Sequence, residues 1–60
     1  MITVRVPLRD LLDEPYAIEK KFEDAGIPPL PLRTGFLKRW LDVKEDVCVF
    51  EYTPREEAML

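Results

Sequence analysis

The chain opens on an alternation. Ile2, Val4, Val6 and Leu8 share one phase of a period-two pattern, and Thr3, Arg5 and Pro7 share the other. That pattern predicts a half-buried β-strand over residues 1–7. Pro7 has no backbone donor, so it ends the strand or confines it to a sheet edge. Residues 8–12 predict a short helical turn leading into a helix over about residues 15–25. Pro15 suits the first helical position, where a missing N–H costs nothing. Gly26 suits the left-handed residue just past the helix end. Ile18, Phe22 and Ala25 fall at i, i+4 and i+7, an apolar stripe that Leu11 extends backward. Glu19, Lys20, Glu23 and Asp24 form the wet side, with Lys20 and Asp24 at the i,i+4 spacing of a helix ion pair.

The periodicity breaks at residues 26–35, Gly26-Ile27-Pro28-Pro29-Leu30-Pro31-Leu32-Arg33-Thr34-Gly35, which hold both glycines and three of the six prolines. Each proline removes a donor and pushes the preceding residue toward extended geometry. The stretch therefore predicts a stiff connector whose Ile27, Leu30 and Leu32 cover the edge of the core. Within it, Pro28-x-x-Pro31-x-Arg33 has the spacing of a polyproline ligand for SH3-type domains. The pattern is short and common, and the rigid-linker reading is preferred.

Residues 36–43 admit two readings. Phe36, Leu37, Trp40 and Leu41 match one face of a helix, with Lys38, Arg39 and Asp42 opposite and Thr34 as a possible cap. The competing reading is a strand, forming a β-hairpin over residues 36–53 around Lys44-Glu45-Asp46. That turn lacks the glycine or asparagine that tight hairpin turns demand, so the helix is preferred. Residues 47–53, Val-Cys-Val-Phe-Glu-Tyr-Thr, predict a strand by their β-branched and aromatic content, stopped by Pro54. The first four are apolar on both faces, which places this strand inside the sheet or in an interface. An acidic tail follows over residues 54–60. The expected architecture is a small α+β single domain, residues 1–60, running β-α-connector-α-β with its N- and C-terminal strands in one sheet. Two strands make a poor sheet, so edge pairing across a homodimer is expected.

Composition sharpens this. A chain of sixty residues buries only about 60% of the surface its unfolded form exposes, and domains of that size usually rely on a disulfide, a metal or an oligomer. Cys48 is the only cysteine and there is no histidine. That excludes an internal disulfide, a His-containing zinc site, and Ser-His or Cys-His catalysis. With 47% hydrophobic and 35% charged residues, the composition is globular rather than disordered. No apolar run approaches the ~20 residues of a membrane span, and the start of the chain lacks a signal-peptide pattern. A cytoplasmic location is expected. The net charge of −3 argues against a general nucleic-acid binder.

The charge is unevenly placed. Residues 33–44 hold Arg33, Lys38, Arg39 and Lys44 against Asp42 alone, whereas residues 13–25 and 45–60 are acidic. Trp40, the single tryptophan, lies beside Arg39, and these residue types are enriched in interface hot spots. The expected partner-binding face is therefore Arg33, Phe36, Lys38, Arg39 and Trp40. The adjacent carboxylate pairs (Asp13-Glu14, Glu23-Asp24, Glu45-Asp46, Glu56-Glu57) do not face each other on a helix and are read as solvating charge. Cys48 is read as a buried, inert thiol. No catalytic, cofactor-binding or metal-binding residue is expected, and the chain is not expected to be an enzyme. The expectation is a small interaction module that binds a protein partner or itself. Accessory and inhibitor-type proteins of bacteria or their viruses share this size and composition. The alternatives are a dimeric nucleic-acid binder using residues 33–44, and a structural subunit of a larger assembly.

Overall fold

The computed structural model describes residues 1–58. Its elements run β1 (Ile2–Pro7), α1 (Leu8–Asp13), α2 (Ala17–Ala25), α3 (Pro31–Thr34), β2 (Gly35–Asp42), β3 (Val47–Pro54) and α4 (Arg55–Ala58). The chain is an α+β domain built on one antiparallel sheet of order β1-β3-β2. The apolar run of β3 is central because both its neighbours hydrogen-bond to it: Ile2 pairs with Tyr52 and Val6 with Cys48 on one side, Gly35 with Pro54 and Asp42 with Val47 on the other. The N- and C-terminal strands share the sheet, as the sequence pattern predicts.

Residues 36–42 are a strand, which corrects the helix reading and bears out the hairpin alternative. The physical reason is twofold. As a helix the segment would leave β1 and β3 a two-stranded sheet, whereas as a strand it forms an eight-residue ladder with β3. The turn also needs no glycine. It is a four-residue loop, Val43–Asp46, in which Asp46 takes the left-handed conformation at φ 53°, a region aspartate tolerates better than most residues. The Asp42 carboxylate accepts a hydrogen bond from the Glu45 backbone N–H at 3.2 Å and closes the loop. The Asp46 carbonyl accepts one from the Leu8 N–H at 2.9 Å, tying the turn to the start of α1.

The alternation of three strands sorts the side chains onto two faces. Ile2, Val4, Val6, Cys48, Phe50, Tyr52 and Leu37 lie on the helix side, where every one is buried or half-buried. Helix α2 packs there, its Phe22 ring meeting Phe50 edge-on with centroids 5.1 Å apart and planes at 73°, a geometry worth about 1 kcal/mol beyond the area it buries. Gly26 ends α2 at φ 94°. The Gly26 N–H donates to the Glu23 carbonyl and the Ile27 N–H to the Phe22 carbonyl. This paired closure turns the chain and buries Ile27 beside the helix it ends.

Some details depart from the sequence pattern. Helix α2 starts at Ala17 after a turn at Pro15-Tyr16, so Pro15 is not its first residue. Ala25 is exposed, and the stripe reduces to Ile18 and Phe22. Of the neighbouring lysines it is Lys21 that pairs, its Nζ 2.8 Å from the Asp10 carboxylate, joining α2 to α1. Among the described residues Lys20 and Asp24 form no ion pair. In the connector only Ile27 covers the core, while Leu30 and Leu32 face solvent. Residues 31–34 form the single turn α3 rather than extended chain, with Thr34 at its end instead of capping a following helix. Of the expected acidic tail, residues 55–58 form α4, which packs against β2 and β3; Met59 and Leu60 lie outside the described residues. No helix among the described residues is long and apolar enough to cross a membrane.

Candidate functional site

The second face of the sheet carries Thr3, Arg5 and Pro7 from β1, Phe36, Lys38, Trp40 and Asp42 from β2, and Val47, Val49, Glu51 and Thr53 from β3. All of the outer-strand residues except Asp42 are exposed, so this face is open. The side chains form cross-strand rows. Thr3, Glu51 and Lys38 make one, Arg5, Val49 and Trp40 the next, and Pro7, Val47 and Asp42 the third. Neighbours within such a row have Cβ atoms about 5 Å apart and touch.

Phe36 and Trp40 stand on this face 55% and 45% exposed. They flank Lys38 at alternate positions of one strand, about 14 Å apart along it. Behind Trp40, Val49 is only 2% exposed although no helix residue is its register neighbour. Its register neighbours on either side are Arg5 and Trp40. The Arg5 Nη2 reaches across β3 to Asp42 Oδ2 at 3.2 Å, so the arginine stem lies over the middle strand. The result is a shallow patch with an apolar floor, two aromatic rings and adjacent charges of both signs.

The structure brings together three of the five residues expected to bind a partner. Phe36, Lys38 and Trp40 share the open face. Arg39 points to the opposite face, where it is the register neighbour of Phe50 and remains exposed at the sheet edge. Arg33 is exposed on α3, outside the strand. Sequence reasoning missed Arg5, Asp42 and Val49, which complete the patch. Arg5 occupies the solvent phase of its alternation, and nothing in the linear pattern says which strand its head will reach.

The polyproline motif does not keep the geometry of an SH3-type ligand. Leu30 turns left-handed at φ 56° between the two prolines, and Pro31 and Arg33 belong to a helical turn, whereas such ligands are extended. The connector instead walls a groove of about 630 Å³ with α2, lined by Ile18, Phe22, Ile27, Pro28 and Leu30 together with the carboxylates Glu19 and Glu23. Cys48 is a half-buried free thiol, less enclosed than its apolar surroundings suggest. Among the described residues no three His, Cys, Asp or Glu side chains gather as metal ligands. Compared with known proteins, the chain matches no family model, no curated protein and no solved structure at a significant level.

Proposed function

We propose that this protein is a non-enzymatic interaction module that docks a protein partner on the open face of its sheet. The observation that carries the reading is the exposure of Phe36 and Trp40 on one face, with Lys38 between them and the Arg5–Asp42 pair alongside. Aromatic rings on a rigid strand lose little conformational entropy when they bind. Large apolar side chains ringed by charge are also the usual anchors of protein interfaces. Arg39 and Arg33 lie outside the face and belong to its surroundings rather than its centre.

The same three side chains favour one second reading. Two rings and a cation on a sheet form a surface on which unpaired bases stack. The net charge of −3 weighs against it, since nucleic-acid binders carry a positive excess.

The test compares the wild type with a Phe36→Ser/Trp40→Ala variant whose circular dichroism is unchanged. A protein captured at high salt by the wild type and lost by the variant, then reconstituted from purified components, supports the proposal. Quenching of Trp40 fluorescence by single-stranded oligonucleotides, collapsing as salt rises, overturns it in favour of the second reading.

A further inference from the structure

We propose that β2 is also a self-pairing edge, joining two copies of the chain antiparallel about a twofold axis at Trp40 into one six-stranded sheet. This inference concerns the edge of the sheet and stands whatever occupies its open face. Strand β2 is one of the two outer strands of the sheet. Among the described residues, no backbone hydrogen bond outside the sheet's own ladders involves residues 36–42. Lys38, Arg39, Trp40 and Leu41 are all exposed along it. Such an edge is a template for another strand.

Charge decides the register. Antiparallel pairing about an axis normal to the sheet keeps each copy's faces aligned, so one residue of β2 must sit opposite itself. With Lys38 or Arg39 at the axis, identical cations oppose each other. With Leu41 there, Lys38 meets Lys44 of the second copy. With Trp40 at the axis, the two indoles are neighbours and Lys38 lies opposite Asp42 of the second copy, twice by symmetry, sharing a carboxylate that also holds Arg5 and the Glu45 N–H of its own chain. On the other face Arg39 meets Leu41 of the second copy, and just beyond the strand Leu37 meets Val43 of the second copy. Opposite charges directly across a ladder stabilise it and like charges destabilise it. Lysine on an edge ordinarily blocks pairing; here the cations oppose the registers centred on positions 38, 39 and 41, and only the register centred on Trp40 sets a β2 cation opposite a β2 carboxylate. The patch is isologous, as a twofold interface requires. It would set two Phe36/Trp40 pairs side by side on one continuous open face. A contact of about five residues per strand is small, so the dimer forms as a concentration-dependent equilibrium rather than a permanent unit.

The first measurement is molar mass by light scattering across a dilution series, where the expected result is a rise from 7.1 kDa toward twice that value. Lys38→Glu alone sets two carboxylates against each other at each end and is expected to weaken association about tenfold or more. Asp42→Lys alone does the same with two cations. Mixing these two variants restores both pairs, so a heterodimer is expected from two monomeric parents. Because Asp42 also closes the hairpin turn and pairs with Arg5, a second readout uses cross-linking in a Cys48→Ser background. Trp40→Cys should form a disulfide dimer about tenfold faster than Leu41→Cys, since only the residue at the axis meets its own copy within disulfide reach. A chain that stays monomeric at all concentrations, or equal cross-linking at positions 40 and 41, overturns the proposal.

Discussion

Arg5 and Asp42 sit on the two outer strands and meet across the middle one, Nη2 to Oδ2 at 3.2 Å, beside a Val49 that is almost fully enclosed. The pair is half-exposed, and such ion pairs contribute about 0–1 kcal/mol through charge. Its larger effect is to hold an arginine stem over apolar surface. Arg5→Ala is therefore expected to cost roughly 1 kcal/mol, whereas Arg5→Met, which keeps the stem and drops the charge, should cost less than half of that. Urea denaturation of both variants separates the two effects. Equal losses would assign the stability to the ion pair.

The two glycines carry different burdens. A Cβ at Gly35 would lie 2.3 Å from the Thr53 carbonyl oxygen and 3.0 Å from Pro54 Cα, both backbone atoms that cannot step aside. At Gly26 the nearest atom is Ile2 Cδ1 at 3.8 Å, and the constraint is the positive φ of 94°. Gly26→Ala should cost about 1 kcal/mol, the ordinary penalty of a left-handed alanine. Gly35→Ala should cost more, about 2–3 kcal/mol, because β2 must shift away from β3. Thermal melts followed by circular dichroism test the order, and a smaller loss at Gly35 would show that the strand end yields freely.

Tyr52 is buried and its hydroxyl lies 2.7 Å from Thr34 Oγ1, linking β3 to the end of α3. Tyr52→Phe keeps the ring and removes the link, with an expected loss of about 1 kcal/mol. The loss should be local: hydrogen exchange should quicken for amides of residues 31–36 and stay unchanged in α2. Uniform quickening across the chain would instead give the hydroxyl a role in global stability.

Leu30 holds a left-handed backbone while its side chain is 66% exposed. That conformation costs a leucine about 1 kcal/mol, and asparagine adopts it more readily. Leu30→Asn is therefore expected to leave the fold unchanged and to raise stability by a few tenths to about 1 kcal/mol. Loss of stability in the same melt would mean that Leu30 supports the groove it lines.

Much of the fold is legible in local chemistry. The alternation over Ile2–Val6, the apolar run of β3, the turn residues of the connector and the glycine after Ala25 each act within a few positions, so each can be recognised without knowing the fold. The candidate site is only partly legible. Phe36, Lys38 and Trp40 stand out by residue type, yet a helix and a strand put different subsets of residues 36–42 together. The choice between them lies in a ladder with residues 47–54, not in the segment itself. One of the two grounds for expecting a homodimer, an incomplete two-stranded sheet, also rested on that choice, since β2 supplies the third strand from inside the chain.

The sequence by itself determined the α+β class, the strand character of residues 2–7 and 47–53, the end of α2 at Gly26 and the residue types available for binding, because these follow from periodicity, backbone freedom and composition. Tertiary structure decided that residues 35–42 are an edge strand, that Arg39 leaves the face its neighbours share, and that Arg5 and Asp42 meet across the middle strand. Those outcomes depend on hydrogen bonds and contacts between residues far apart in the chain, and a seven-residue pattern with apolar and charged positions mixed fits either period until its partner strand selects one.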